Sequence, residues 1–306
     1  MAVASSPLAD MSRQPNRIWR VGAGLAECPV WLEDRRQLAW VDIVRPSCHL
    51  LDPATGETRT FEVPAKIGSA APAPDGAMLL ALEDGLWRRN AEGGLDRCAS
   101  PDMTGVHFND GKCDPAGRFW VGSRSSDGSP ARGKLFRFDP DGTLHEMASG
   151  FDVPNGLGWS PAGDAFYLVD TVPRLLYRYD YDPASGSIGR RRVIQDFAGQ
   201  SGKPDGLAVD AAGNLWCAMW DGGGILVLSP EGLLLDRLPT PCPRPTSCAF
   251  GGEERMTLFV TSASYGLDPT DSGFGDSGSI FAFRSLIPGT PVAPMAGSGK
   301  LNMTKM

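Results

Sequence analysis

Four oxygen-bearing residues sit in matched contexts along this chain. Glu27 precedes Cys28-Pro29, Asn109 precedes Asp110-Gly111, Asn155 lies in Pro154-Asn155-Gly156, and Asp205 lies in Pro204-Asp205-Gly206. Two carboxylates and two amides form an oxygen-donor set. Such a set suits a hard divalent cation such as Ca²⁺, Mg²⁺ or Mn²⁺ better than a thiol-seeking metal. Two unpaired carboxylates facing one space repel each other, and a cation between them removes that cost. Taken singly, Asn or Asp before Gly is an ordinary turn residue. The recurrence of all four 11 to 13 residues before the anchor of a repeated unit argues for a shared task.

That unit is a Gly-bearing or acidic turn followed by an apolar strand. Its anchors are Trp40, Leu80, Trp120, Tyr167, Trp216 and Phe259, at intervals of 40, 40, 47, 49 and 43 residues. Asn109 and Asp205 lie 11 residues before their anchors, Asn155 lies 12 before and Glu27 lies 13 before. Ser69 and Ser247 fill the same place in the remaining two units. A second apolar strand follows each anchor and ends in hairpin-type turns such as Asp139-Pro140-Asp141-Gly142. The period is that of a propeller blade, and blades bury one another's faces around an axis. A β-sandwich does not predict such even spacing.

The expected fold class is therefore all-β, a six-bladed β-propeller with a central metal-binding channel. Residues 17–290 would form this single domain, with 1–16 a disordered leader and 291–306 a flexible tail. The segment before Trp31 is expected to supply the strand that closes the ring, and the chain after Ser285 one further strand. The six aligned polar residues are expected in loops leading into the innermost strands, near the channel mouth.

Composition narrows the partners. The chain has 306 residues, 42% of them hydrophobic, with 38 Gly, 26 Pro and a net charge of −7. Turn-forming residues at that density fit short strands better than long helices. With no basic block, nucleic acid and anionic membrane are not expected partners. There is no apolar run long enough to span a bilayer and no secretory h-region at the start, so the cytoplasm is expected. The seven cysteines include no Cys-x-x-Cys pair, which speaks against a disulfide framework or a zinc ribbon. No Gly-x-Ser-x-Gly elbow, Walker loop or dinucleotide fingerprint occurs. His49 and His145 read as strand or surface positions without a role.

The motifs together resemble the senescence-marker-protein/gluconolactonase family, the regucalcin-like sugar lactonases. The resemblance spans roughly residues 18–285. It is carried by Glu27-Cys28-Pro29-Val30-Trp31, Phe108-Asn109-Asp110-Gly111-Lys112, Asp114-Pro115-Ala116-Gly117-Arg118, Pro154-Asn155-Gly156, Pro204-Asp205-Gly206 and Pro245-Thr246-Ser247-Cys248. It implies a propeller holding one divalent metal ion (Ca, Zn, Mn, Mg or Fe(II)) through Glu27, Asn155 and Asp205. It also implies Asp205 as catalytic base and Asn109 as a substrate-binding residue.

Two positions depart from the pattern. His107 stands where the family commonly has an Arg that grips substrate hydroxyls, and Asp127 stands where it often has a Glu near the sugar. Both are expected to touch substrate, and His107 puts the inherited specificity in question.

The expected function is metal-dependent hydrolysis of a sugar lactone to the sugar acid, with Asp205 or a metal-bound hydroxide activating water. The partner would be a small-molecule sugar lactone, and the chain a monomer or homodimer. The alternatives are a non-catalytic metal-dependent ligand sensor and a phosphate-ester hydrolase acting through the same metal.

Overall fold

The computed structural model describes residues 8–271 and 273–297. The rest of the expected leader (1–7) and of the expected tail (298–306) lies outside the described residues. Among the described residues twenty-four strands form six four-stranded antiparallel sheets, each built from strands consecutive in sequence except the last. The first strand of each sheet packs on the first strands of both neighbours. The six inner strands are Ala26–Leu32, Ile67–Pro72, Val106–Cys113, Pro154–Trp159, Lys203–Val209 and Pro245–Gly251. They ring a central axis, which makes the molecule the expected six-bladed propeller. The six anchor residues fall in the second strand of each blade and are all buried.

The apolar side chains divide into six core clusters, one at each blade interface. Between blades three and four, Trp120, Trp159, Phe166 and Tyr181 pack with ring centroids 5.0–6.2 Å apart. Burying each large side chain contributes about 1.5–3 kcal/mol. The period seen in the sequence exists because no blade can cover its own two faces.

The ring closes with strands from both ends of the chain. Arg17–Trp19, from the segment before Trp31, is the outer strand of blade six and pairs antiparallel with Ile280–Arg284. Leu8 and Met11 are buried in the cluster between blades five and six. The chain after Ser285 departs from expectation, because residues 285–297 add no strand to a sheet. They run instead across the far end of the channel. Thr290 N donates to Val209 O (3.0 Å), Met295 N to Pro72 O (2.7 Å) and Ala296 N to Gly117 O (2.8 Å). Proline at 288, 291 and 294 removes the backbone donors that a ladder strand needs.

Buried aspartates fix the turns that aim the inner strands. Asp114 is fully buried and accepts from Ala116 N, Arg118 N, Arg118 Nε, Trp120 Nε1 and Tyr181 Oη at 2.6–3.0 Å. Asp210 repeats the device in blade five with Ala212 N, Asn214 N and Trp216 Nε1. At the other end of the inner strands, Asp42 accepts from Gly24 N and Leu25 N, and Asp170 from Asp152 N and Val153 N. These last bonds set the approach to the strands bearing Glu27 and Asn155.

Candidate active site

Every inner strand carries a register break at the level of the aligned polar residues. The breaks lie between Glu27 and Val30, Ile67 and Ser69, Phe108 and Gly111, Asn155 and Leu157, Pro204 and Leu207, and Pro245 and Ser247. A β-bulge sets extra residues against one partner and re-aims their side chains. The polar residues therefore sit inside the strands at bulges, not in the loops before them as the spacing suggested. Cys28 takes φ 48° within the first bulge. Glycine lets the strands converge: a Cβ on Gly156 would lie 2.5 Å from the Asp205 carbonyl oxygen.

Glu27, Asn109, Asn155 and Asp205 are all buried, between 5% and 9% exposed, although they come from four different blades. Asn155 Nδ2 donates to Asp205 Oδ1 (2.5 Å) and to Thr171 Oγ1 (3.0 Å). These two bonds use both amide hydrogens and leave Oδ1 as an acceptor. Asn109 Nδ2 donates to Pro154 O at 3.0 Å, so it is held against the strand that carries Asn155. Ser69 and Ser247 complete the buried ring.

A third carboxylate joins the set. Asp110 is 4% exposed, because the bulge places Asn109 and Asp110 together opposite Gly122. The Cys28 thiol donates to Asp110 Oδ1 at 2.7 Å. Burial, then the Asp205 and Asp110 charges, hold the Glu27 carboxyl well above its usual range. Burial and Asp110 do the same to Asp205, with the Arg124 charge opposing. Burial likewise raises Asp110, with Lys112 opposing. Burial also raises the Cys28 thiol well above its ordinary value, which keeps it a donor and speaks against a thiolate nucleophile. Lys112 forms the floor, with Nζ bonded to Leu157 O (2.9 Å) and Leu207 O (2.6 Å).

The other two expected site residues lie outside this buried group. His107 is half-buried two positions outward of Asn109, with Nδ1 3.1 Å from Ser126 Oγ. Burial, then the Arg124 and Lys66 charges, lower its pKa, so the ring is neutral near pH 7. Asp127 is exposed and bonds within its own turn, accepting from Ser125 Oγ and from Ser129 N (2.9 Å). Those bonds pull its carboxyl below the usual range.

A cavity of about 950 Å³ lies at the outer edge of blades six and one, lined by residues such as Arg17, Arg36 and Arg284. Its charged lining is largely exposed, unlike the buried carboxylate and amide oxygens on the axis.

Among the described residues no three His, Cys, Asp or Glu side chains form a metal-binding group by themselves. The donor set on the axis is mixed, carboxylates with amide oxygens. It fits a hard divalent cation on two counts: every donor is oxygen, and the three buried carboxylates have Lys112 and Arg124 as their opposing charges.

Residues 25–264 match the family model described as the SMP-30/Gluconolactonase/LRE-like region. The chain belongs to this family. A 6-deoxy-6-sulfogluconolactonase of Pseudomonas putida is 38% identical over 278 residues, covering 89% of this chain and 95% of that protein. A pentonolactonase of Haloferax volcanii is 34% identical, covering 90% of this chain and 96% of its own. Among solved structures, a calcium-binding regucalcin from Agrobacterium tumefaciens superposes with a TM-score of 0.85 at 26% identity, covering 93% of this chain and 96% of its own. The family expectation and the propeller architecture are both borne out. The Pseudomonas putida and Haloferax volcanii relatives are both named as lactonases of sugar-derived substrates.

Sequence reasoning missed Asp110, Arg124 and the clamps at Asp42 and Asp170. Asp110 was visible as part of Asn-Asp-Gly, but only the bulge turns it inward beside Asn109.

Proposed function

We propose that this chain is a divalent-metal-dependent lactonase that hydrolyses a sugar lactone to the corresponding sugar acid. The observation that carries this reading is the buried convergence of Glu27, Asn155 and Asp205 beside Asn109 on the propeller axis. Glu27, Asn155 and Asp205 hold the cation. When bound, a divalent cation polarises a carbonyl oxygen as a Lewis acid and offsets charge that develops on it.

The chain's own residues supply the rest. Asp205 accepts from Asn155 through Oδ1, which fixes its carboxylate as the base that takes a proton from water. The water oxygen bonds to the lactone carbonyl carbon as Asp205 takes that proton. The carbon–ring-oxygen bond then breaks, the ring oxygen receives that proton back from Asp205, and a hydroxy acid leaves. Asn109 orients the lactone from the wall beside Asn155. His107, neutral and at the lip, offers a hydrogen bond to a sugar hydroxyl. Asp110, tied to Cys28, adds negative charge that favours cation entry without being a ligand itself. Asp127 binds substrate only if its turn opens.

The chain carries seven free cysteines, six of them buried. They suit a reducing compartment, and we place the enzyme in the cytoplasm. No described helix is long and apolar enough to cross a membrane.

The test is calorimetric titration of metal-stripped protein with Ca²⁺, Mg²⁺, Mn²⁺, Zn²⁺ and Fe²⁺. One cation per chain is expected, with binding weakened at least tenfold in Glu27→Gln and in Asn155→Ala. Unchanged affinity in both variants would remove the metal assignment.

A further inference from the structure

The lip of the channel carries a cation that the chain leaves unused. Arg124 ends up directly opposite His107 in the register of the first two strands of blade three, and opposed residues share one face of a sheet. His107 lies two residues outward of Asn109, or roughly 7 Å at strand rise. Arg124 is half-buried, and its Nε is buried without a hydrogen-bond partner.

Several well-covered arginines of this protein are ion-paired: buried Arg118 with Asp114, buried Arg137 with Asp139 and half-buried Arg244 with Asp221. Among the described residues Arg124 has no ion pair and no ring contact. Its charge nevertheless reaches both Asp205 and His107. Lys66, just before the inner strand of blade two, adds a second positive charge beside His107. Of the acids nearby, Asp127 is engaged in its own turn and Glu83 forms no ion pair among the described residues.

Resting on the lactonase reading above, we infer that Arg124 is a specificity residue that binds an anionic substituent on the lactone, remote from its carbonyl. The group is an oxyanion: a carboxylate or a phosphate ester. A guanidinium presents a planar fork of donors that matches such groups, and an oxyanion there satisfies the buried Nε. The distances agree. The reacting carbonyl belongs at the level of Asn109 and Asp205. The substituent on the far carbon of a six-carbon lactone reaches roughly 6 Å from the carbonyl carbon by ordinary bond lengths, which brings it to the lip. His107 is shorter than Arg and neutral, so it leaves the oxyanion to Arg124.

The experiment compares kcat/KM for gluconolactone, which is neutral, with glucarolactone and phosphogluconolactone, in the metal-loaded wild-type enzyme, Arg124→Gln and Arg124→Lys. Wild type is expected to favour at least one anionic lactone by about 10- to 100-fold, the range of a charge-assisted contact. Arg124→Gln should bring the ratio close to one through KM, and Arg124→Lys should keep part of it. The ratio is taken within each protein, so a loss of folded fraction cancels. A carboxylate and a phosphate are told apart by which lactone shows the preference.

A wild-type ratio near one for both, or a ratio unchanged in Arg124→Gln, overturns the inference while leaving the lactonase reading intact. If wild type hydrolyses none of the three, the lactonase reading loses its six-carbon substrates and passes to a wider panel of sugar lactones. Calorimetry with glucarate against gluconate then decides the inference alone. Tighter glucarate binding that depends on Arg124 supports it, and equal binding overturns it.

Discussion

At Asp205 two demands meet on one side chain. It accepts from Asn155 through Oδ1 while sharing a buried space with Glu27 and Asp110. Asp205→Asn keeps the size and the acceptor but removes the charge. Turnover is expected to fall by about 10²–10⁴-fold, the usual range for losing a general base. The metal-free variant should melt no lower than wild type, because a buried repulsion is gone. Turnover and melting temperature of the stripped proteins check both halves. A variant that loses stability and retains turnover would show Asp205 to be structural. At this scale the sequence was informative where a residue type has few reasons to recur at matched offsets, as Glu27, Asn109, Asn155 and Asp205 do. It was silent on Arg124, whose importance lies in having no partner, a property of its surroundings alone.

The elements that aim these side chains are bulged strands, and a bulge belongs to a pair of strands. No single stretch of sequence declares it, which is why the polar residues were expected in loops. Gly156 exposes the dependence. A Cβ there would meet the Asp205 carbonyl oxygen at 2.5 Å and Leu207 Cβ at 2.8 Å. Gly156→Ala should cost about 1–3 kcal/mol by overpacking and lower turnover about 10²-fold by displacing Asp205. Urea unfolding together with initial rates would measure both.

A second element-scale prediction concerns the outer half of blade one. His49 stacks on Trp40 with ring centroids 3.8 Å apart and lies 2.9 Å from both Ser47 Oγ and Thr60 Oγ1. Burial lowers its pKa from 6.5 to about 4. The unfolded chain therefore binds this proton and the folded one does not, so stability falls as pH drops from 6.5 toward 4. The loss should be smaller in His49→Phe, which keeps the stacking. Denaturation midpoints at about pH 7 and about pH 5 show it as a shallower slope in the variant. An equal slope would mean that His49 is charged in the folded state.

Over the whole molecule the propeller was legible because six repeats of one burial problem write the same signal six times. Closure by Arg17–Trp19 was legible for the same reason, since a ring with one blade short of a strand needs one from the other end. The path of residues 285–297 was not. Those residues form no regular element, and the bonds to Val209, Pro72 and Gly117 that guide them are long-range.

What the ring accomplishes is convergence, bringing Glu27, Asn155 and Asp205 together from positions 178 residues apart in the chain at most (205 − 27). The central claim is that this convergence makes a metal-dependent lactonase. Its most direct test is base consumption at constant pH by metal-stripped protein given a panel of five- and six-membered sugar lactones, with and without each divalent cation. The account predicts negligible hydrolysis above the spontaneous rate without metal, restored for one class of lactone by at least one cation and absent in Asp205→Asn. Full turnover by the stripped protein, or metal binding with no turnover on any lactone, would contradict it.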